Sequence, residues 1–304
     1  MFVESHRHLS GSIKPETVWE IIKDADRLNI ASSLDEVQQQ MYLTREDVNF
    51  DYFCTRFDIL DKITWTNRAV AMVAKQVCAD IKAEQIKHAT LTLSLNKFAM
   101  NGDLIAAGER VFHILDEAAI EADLSLNYLL SVSYNWPQEL QIRTIKLGRQ
   151  LGRLVAGIDF VSDEHAAAWD IYPELLKPWH DQDKTVRAHV AERPGTGRNI
   201  QKAIHEMRVT RIAHGIYGTT EEWEDAVRSN IVFDVSLHSN IITNAINLVR
   251  HPIKQMLSAG CQIVLGTDDP VQFNCSLQGE YGLAEVMGAD KETLHQMAHE
   301  SRIR

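Results

Sequence analysis

The sequence predicts an α/β protein that folds as a (β/α)8 TIM barrel. Eight short apolar or β-branched runs recur along the chain, and segments with helical periodicity lie between them. A length of 304 residues also suits one such barrel, so we expect a single domain over residues 1–304. An open doubly wound sheet is the alternative, but no glycine-rich phosphate-binding motif follows the first predicted strand.

The composition sets limits on location and partners. Hydrophobic residues make up 45% of the chain, and the net charge of −11 disfavours nucleic acid as a partner. The four cysteines form no C-x-x-C pair, which favours a reducing compartment over a disulfide framework. The sequence shows neither a signal peptide nor an apolar run long enough to span a membrane. We expect a cytoplasmic protein with a small-molecule substrate and no membrane partner, and the oligomeric state stays open.

The predicted elements alternate in order. The predicted strands are residues 2–5, 89–95, 126–132, 154–160, 185–189, 211–213, 231–235 and 262–266. The predicted helices are residues 15–27, 69–84, 104–122, 137–153, 199–207, 220–229 and 252–259. Pro15 suits a helix start, and Gly260 suits a helix C-terminus. Residues 29–68 break the alternation with extra helices after strand 1, which we expect to form a lid over the C-terminal face of the barrel.

The motif His6-Arg7-His8 directly follows the first predicted strand. Side chains two positions apart in a strand point to the same side, so two imidazoles placed in this way can share one metal ion. Because the chain contains 13 histidines, a chance spacing is the alternative explanation for this motif taken alone.

Three further strand ends carry reactive side chains. His189 and Glu192 follow one predicted strand, His214 ends the next, and the adjacent carboxyl groups of Asp268 and Asp269 close the last. Taken singly, these residues could be a surface loop, a buried core histidine and a solvated turn. Adjacent carboxylates repel each other unless a cation or hydrogen-bond donors stabilise them.

The four strand ends become informative when they are considered together, because barrel enzymes build their sites at the C-terminal ends of the strands. Three histidines and one carboxylate form a suitable zinc site that leaves a position open for water. Zinc acidifies such a water toward neutral pH, and Glu192 and His214 could transfer protons nearby. The predicted ligands are His6, His8, His189 and Asp268.

The motifs resemble, in order, those of the adenosine deaminase family of metal-dependent amidohydrolases. The matching segments are His6-Arg7-His8-Leu9-Ser10-Gly11-Ser12, Val155-Ala156-Gly157-Ile158-Asp159 with Asp163-Glu164, His189-Val190-Ala191-Glu192, Arg211-Ile212-Ala213-His214-Gly215, Ser239-Asn240 and Thr267-Asp268-Asp269-Pro270. The resemblance implies the same barrel, one zinc ion per chain and the same four ligands.

The resemblance also implies roles in the deamination of a purine. Glu192 would protonate purine N1, Asp269 would hydrogen-bond to N7, and His214 would orient the attacking water or take its proton. The backbone at Ser162 would face N3. His8 and Ser10 would also contribute to the substrate site.

Departures from the family pattern concern the substrate and not the metal. Ser10 replaces an Asp that is associated with the ribose 5′-hydroxyl, which leaves the specificity at the 5′ end open. Residues 88–95 lack the Glu and Arg that are typical of the second strand, and losing both together avoids an unpaired buried charge. Ser162 and Ala191 replace glycines, and each narrows the pocket slightly.

The sequence therefore predicts a zinc-dependent hydrolytic deaminase of adenosine or deoxyadenosine. Adenine, N6-methyl-AMP or another adenine-bearing compound is an alternative substrate. Another hydrolytic reaction on the same metal, or a non-catalytic relative, is less consistent with the retention of Glu192 and Asp269.

Overall fold

A computed structural model describes residues 2–44, 48–99, 102–243 and 245–303. Its eight strands form one parallel sheet in sequential order, and each strand pairs with the next. The strands are β1 (Phe2–His8), β2 (Ile86–Leu93), β3 (Ser125–Ser133), β4 (Gly157–Val161), β5 (Thr185–Val190), β6 (Arg211–His214), β7 (Val232–Val235) and β8 (Gln262–Leu265).

The first and last strands meet and close the sheet into a barrel. The His8 amide donates to the Asp268 carbonyl at 2.8 Å, and the Asp268 amide donates to the His6 carbonyl at 2.8 Å. These two hydrogen bonds lie at the C-terminal ends of the strands. The predicted (β/α)8 barrel is thus confirmed.

Helices connect the strands and cover the outside of the barrel. The α-helices of the described residues are α1 (Pro15–Asp24), α2 (Leu34–Met41), α3 (Phe50–Cys54), α4 (Asn67–Ala83), α5 (Leu104–Ala122), α6 (Gln138–Leu151), α7 (Tyr172–His180), α8 (Asn199–His205), α9 (Thr220–Arg228), α10 (Leu237–Ile242), α11 (Ile253–Ser258), α12 (Pro270–Phe273), α13 (Leu277–Val286) and α14 (Lys291–Glu300). Within the described part of the chain, no helix combines the length and apolar character needed to cross a membrane.

Local capping signals explain where several of these helices begin and end. Helix α5 matches its predicted range, and the Asp103 side chain accepts hydrogen bonds from the amides of Ile105 and Ala106 at its start. Gly260 adopts a φ of +89° directly after the C-cap of α11, as predicted. Helix α7 was not predicted, because Pro173 and Pro178 obscure its helical pattern.

The inserted segment after β1 covers the mouth of the barrel, as predicted. Helices α2 and α3 belong to this segment, and its aromatic side chains Phe50, Phe53 and Phe57 line the cavity above the strand ends. The Phe53 ring stacks on Phe273 of α12, with ring centroids 4.9 Å apart. The insertion therefore packs directly against the segment that follows β8.

Candidate metal and catalytic centre

The structure brings the four predicted metal ligands together at the C-terminal mouth of the barrel. His6 and His8 lie on β1, His189 lies on β5, and Asp268 follows β8. The ring centroids of His6 and His189 are 4.9 Å apart, and those of His8 and His189 are 5.3 Å apart. The Asp268 Oδ1 atom lies 3.0 Å from His8 Nε2 and 3.4 Å from His6 Nε2.

The chemistry of these side chains fits a metal ion. Bonds of about 2.0–2.2 Å would place neighbouring ligand atoms of a tetrahedral zinc site about 3.3–3.6 Å apart, close to the spacings seen here. Among the described residues, the buried Nε2 atoms of His6, His189 and His214 have no hydrogen-bond partner. Buried polar atoms are normally satisfied, so the unpaired Nε2 atoms of the predicted ligands His6 and His189 fit a metal ion at this centre.

The charges of the ligand set follow from burial and mutual contact. Burial opposes the ionisation of Asp268, but His6 and His8 outweigh this effect and hold its pKa well below the usual range. Burial lowers the pKa of His6 to about 4, so its imidazole is neutral and able to bind a metal. Burial also disfavours charge on His8, but Asp269 and Asp268 raise its pKa to about 9 in the absence of a cation.

Two further carboxyl groups in the cavity have raised pKa values, which favours their protonated forms. Burial, followed by the nearby charges of Asp268 and Glu164, raises the pKa of Glu192 well above its ordinary value. Burial and the charge of Asp268 likewise raise the pKa of Asp269. One carboxyl group with a lowered pKa and two with raised pKa values therefore share one site. Groups whose pKa values are driven apart in this way suit acid and base roles.

Two glycines permit the close packing of these groups. A Cβ atom on Gly11 would lie 1.8 Å from Asp269 Oδ1, and a Cβ atom on Gly266 would lie 2.5 Å from His6 Cβ. Any side chain at either position would displace a residue of the centre. Gly11 belongs to the motif that follows His8, so the local sequence both supplies a ligand and leaves room for Asp269.

Glu164 holds the loop that carries Glu192, a role that the sequence did not reveal. Its carboxylate accepts hydrogen bonds from the amides of Ala191 and Glu192 at 2.8 and 2.9 Å. It also accepts from Thr196 Oγ1 and Asn199 Nδ2, both at 2.7 Å. The Asp163-Glu164 motif was the available signal, but the motif alone does not say which loop it holds.

A charged network fills the barrel interior beneath the metal ligands. The Arg187 guanidinium donates to Asp159 Oδ2 at 2.5 Å and to Thr92 Oγ1 at 2.7 Å. Burial opposes ionisation of Asp159, but Arg187 holds its pKa well below the usual range. The other Asp159 oxygen lies 3.4 Å from His189 Nε2. Arg187 on β5 thus lies in the barrel interior, whereas β2 contains no arginine. No local sequence pattern indicated this position of Arg187.

The backbone turns sharply where several strands deliver their side chains. Ser162, Ala191, His214 and Asp268 follow or end β4, β5, β6 and β8, and all four have left-handed φ values between 52° and 76°. Residues other than glycine rarely adopt this conformation, which is common at functional sites. Ser162 and Ala191, the two residues that replace glycines, therefore keep the backbone conformation that glycine would favour.

The centre opens into a cavity of about 280 Å³ beneath the lid. Ser10 and Ser162 both line this cavity, together with His8, Glu192 and Asp269. The walls farther from the metal ligands are mainly apolar and include Phe50, Phe53, Phe57, Leu60, Trp65, Phe98 and Trp136. All of the predicted site residues except His6 therefore line one cavity, and their individual roles stay predictions.

A second group of possible ligands lies outside this centre and already has structural partners. His238, Cys275 and Glu280 have side-chain atoms within 4.8 Å of one another. Glu280 accepts from the Leu237 amide at 2.6 Å and contacts His238 Nδ1 at 2.7 Å. These contacts satisfy Glu280 at the start of α10, so the group is explained by helix capping.

The barrel, the buried histidine–aspartate cluster and the nearby carboxyl groups of raised pKa are the features of a metal-dependent hydrolase. The sequence profile described as adenosine deaminase matches residues 2–302. The chain belongs to the adenosine deaminase family, whose members are metal-dependent hydrolytic deaminases. One curated relative, adenosine deaminase of Shewanella denitrificans, is 27% identical over 302 residues, which is 97% of this chain and 91% of the relative.

Solved structures share the fold over the whole chain. Adenine deaminase from Arthrobacter aurescens has a TM-score of 0.87 at 18% identity, and the match covers 94% of that chain. Arabidopsis N6-mAMP deaminase has a TM-score of 0.86 at 23% identity and 93% coverage. An amidohydrolase from Burkholderia ambifaria with bound Zn has a TM-score of 0.87 at 18% identity and 85% coverage.

Proposed function

We propose that this protein hydrolyses the 6-amino group of adenosine or deoxyadenosine and releases ammonia. The observation that carries the proposal is the arrangement of the cavity, in which Glu192 and Asp269, whose pKa values are raised, lie close to Asp268, whose pKa is lowered. A purine presents N1 and N7 as hydrogen-bond acceptors, so a carboxyl group must keep its proton to donate to either atom. Family membership supports the same substrate class.

We propose zinc as the cofactor, held by His6, His8, His189 and Asp268. Three imidazoles and one carboxylate suit this ion, and the solved neighbour with bound Zn supports the assignment. When bound, the metal would lower the pKa of a coordinated water so that the water becomes a nucleophile near neutral pH.

Glu192 donates its proton to purine N1 in the proposed reaction, which makes C6 more electrophilic. Asp269 donates a hydrogen bond to N7 and fixes the orientation of the ring. The water oxygen then forms a bond to C6 while one of its protons passes to the exocyclic nitrogen and the other restores the Glu192 carboxyl group. The bond from C6 to the exocyclic nitrogen breaks, and the amine leaves as ammonia. The Glu164 hydrogen bonds keep Glu192 in the cavity through each of these steps.

The cavity walls favour a neutral nucleoside over a 5′-phosphate. Among the described residues that line the cavity, Lys97 is the only one with a fixed positive charge, and its ammonium group already donates to Asp61. A phosphate carries about −1.5 to −2 charges at pH 7 and requires several donors. Ser10 supplies a hydroxyl group in this region of the cavity and no charge.

A substrate screen tests the proposal. Zinc-loaded protein is incubated with adenosine, deoxyadenosine, adenine, AMP and N6-methyl-AMP, and both the 6-oxopurine and the released amine are measured. A Glu192→Gln preparation serves as the matched control for contaminating deaminases. We expect the highest kcat/KM for the two nucleosides. A higher kcat/KM for adenine or either nucleotide would contradict the substrate assignment, and no turnover of any compound would contradict deamination.

We further propose that the whole chain works as one barrel domain in a reducing cytoplasm. The four cysteines are all unpaired, and Cys78 and Cys261 are buried. Thiols persist in reducing compartments, whereas disulfides form in oxidising ones. Fractionation of native cells checks the location, and recovery of the protein outside the cytoplasmic fraction would contradict it.

A further inference from the structure

A line of buried polar side chains extends behind His214, away from the cavity. Asn240 Nδ2 lies 3.0 Å from His214 Nδ1, and His251 Nε2 lies 3.2 Å from Asn240 Oδ1. The Ile253 amide nitrogen lies 3.3 Å from His251 Nδ1. His214 and Asn240 are fully buried, and His251 is only 6% exposed. Each contact is therefore shielded from competing water.

The direction of each hydrogen bond follows from its last member. A backbone amide can only donate, so His251 Nδ1 accepts from the Ile253 amide and carries no proton. The remaining proton of the neutral His251 ring is then on Nε2, which donates to Asn240 Oδ1. With its oxygen engaged in this way, the Asn240 amide presents its NH2 group to His214, so His214 Nδ1 must accept.

Burial also favours a neutral His251. It lowers the pKa of His251 to about 4, so the ring stays uncharged near neutral pH. A charged ring would carry a proton on Nδ1 and would oppose the Ile253 amide. The contact with the Ile253 amide and the burial of His251 therefore both favour a neutral ring.

We propose that Asn240 and His251 are positioning residues that hold His214 as the neutral tautomer with its proton on Nε2. His214 Nε2 lies 3.6 Å from Glu192 Oε1 and 3.9 Å from Asp268 Oδ2, so the N–H group points into the catalytic cavity. This inference rests on the proposed function and deepens it. Of the two roles open to His214, it orients the attacking water as a hydrogen-bond donor and does not take its proton.

The tautomer is measured directly by NMR on protein labelled with 15N in the histidine rings. Zinc-free and zinc-loaded samples are compared, and a His214→Gln sample identifies the His214 signals. We expect Nε2 of His214 to be protonated and Nδ1 to be unprotonated in both states. A proton on Nδ1 of His214 in the wild-type protein would overturn the proposal. This readout does not depend on turnover, so it remains decisive if the substrate screen fails.

Two pairs of variants test the positioning residues. Asn240→Asp replaces the NH2 group with an oxygen of similar size, so we expect the His214 proton to move to Nδ1. We expect kcat to fall by at least about tenfold with KM changed by less than about twofold, because a wrong catalytic tautomer can cost far more. His251→Gln preserves one acceptor and one donor, whereas His251→Leu removes both.

We expect His251→Gln to keep the His214 tautomer and most of the activity, and His251→Leu to lose both. His180→Leu is a matched control, because His180 is a partly buried histidine that contacts the Met207 carbonyl at 3.0 Å away from this line of residues. Equal NMR spectra and equal kcat values for His251→Gln and His251→Leu would overturn the proposal. An unchanged tautomer in a folded Asn240→Asp protein would also overturn it.

Discussion

At the scale of single residues, the centre depends on carboxyl groups that differ in charge although they lie side by side. Asp268 and Asp269 are adjacent in sequence, yet contact with two histidines outweighs burial and lowers the pKa of the first, while burial raises the pKa of the second. Glu192 resembles Asp269 in this respect, because burial is also the largest cause of the raised pKa of Glu192. The same type of side chain thus suits a metal ligand in one position and a proton donor in another.

Replacing Glu192 with Gln tests the proton donor without removing a predicted metal ligand. The amide has nearly the same shape but cannot transfer a proton, so we expect kcat to fall by about 10²- to 10⁴-fold. Zinc content, measured by atomic absorption, and the unfolding temperature should stay close to wild type. Turnover of a 6-aminopurine at the wild-type rate would contradict the proposed role of Glu192.

The same substitution should reveal the raised pKa of Glu192 in zinc-free protein. The folded state binds this proton more tightly than the unfolded state, so the free energy of unfolding falls as pH rises above the ordinary value of 4.5. Glu192→Gln removes this pH-dependent decrease in the free energy of unfolding, because glutamine does not titrate. The difference in unfolding free energy between variant and wild type should therefore grow in favour of the variant as pH rises from 4.5. Urea unfolding at several pH values measures it, and a flat difference would contradict the shift.

Residue types at strand ends made much of the centre predictable from sequence, but its supporting contacts were not. His6 and His8 share a local spacing, and Asp268 and Asp269 are adjacent. Arg187 contacts Asp159 on another strand, and a contact between residues so far apart in the chain produces no local sequence pattern.

At the scale of elements, a residue that follows β4 holds the loop after β5 in place by hydrogen bonds. Glu164 follows β4, and its carboxylate holds the turn that contains Ala191 and Glu192. Because Ala191 has a left-handed φ of 52°, this turn needs external support. The catalytic loop therefore depends on its neighbouring strand as well as on its own.

Glu164→Gln tests this support. An amide NH2 group would face donors that now point at a carboxylate, and each buried donor left unpaired costs about 1–3 kcal/mol. We expect the free energy of unfolding to fall by about 3 kcal/mol, as measured by urea unfolding, and kcat to fall because Glu192 loses its position. Glu222→Gln is the matched control, because Glu222 is also buried but caps α9 away from the cavity. An equal kcat in both variants would contradict the role of Glu164.

The order of the elements was easier to predict than their limits. Strand β4 begins at Gly157 rather than at residue 154, because Gly152–Leu154 forms a 3-10 turn. Strand β2 lies at Ile86–Leu93 rather than at 89–95. Apolar residues continue beyond the ends of both strands, so hydrophobic pattern alone cannot locate the boundary.

At the scale of the whole molecule, the four predicted metal ligands come from distant parts of the barrel. Two ligands lie on β1, one lies on β5 and one follows β8, so a bound ion would join both sides of the barrel. The alternation of strands and helices predicted this architecture because a parallel barrel repeats one local unit along the chain.

Zinc should therefore stabilise the folded protein. Binding to the folded state alone adds about 4 kcal/mol to the free energy of unfolding when free zinc is about 1,000 times Kd. We expect a clear rise in Tm on adding zinc to chelator-treated protein, measured by differential scanning calorimetry. His8→Ala should bind zinc more weakly and show a much smaller rise. A rise equal to that of wild type, with full zinc content, would contradict the ligand set.

The two hydrogen bonds that close the barrel give the centre a further property. They join His6 and His8 to Asp268, and beside them Arg7 Nε donates to Thr267 Oγ1 at 3.0 Å across 260 positions of sequence. Closure of such a long chain segment is entropically costly, and local opening takes place where stability is lowest. Amide hydrogen exchange at His8 and Asp268 should therefore quicken more than elsewhere in the barrel when zinc is removed. The bound ion would then control how often the barrel opens along its seam, as well as the chemistry within it.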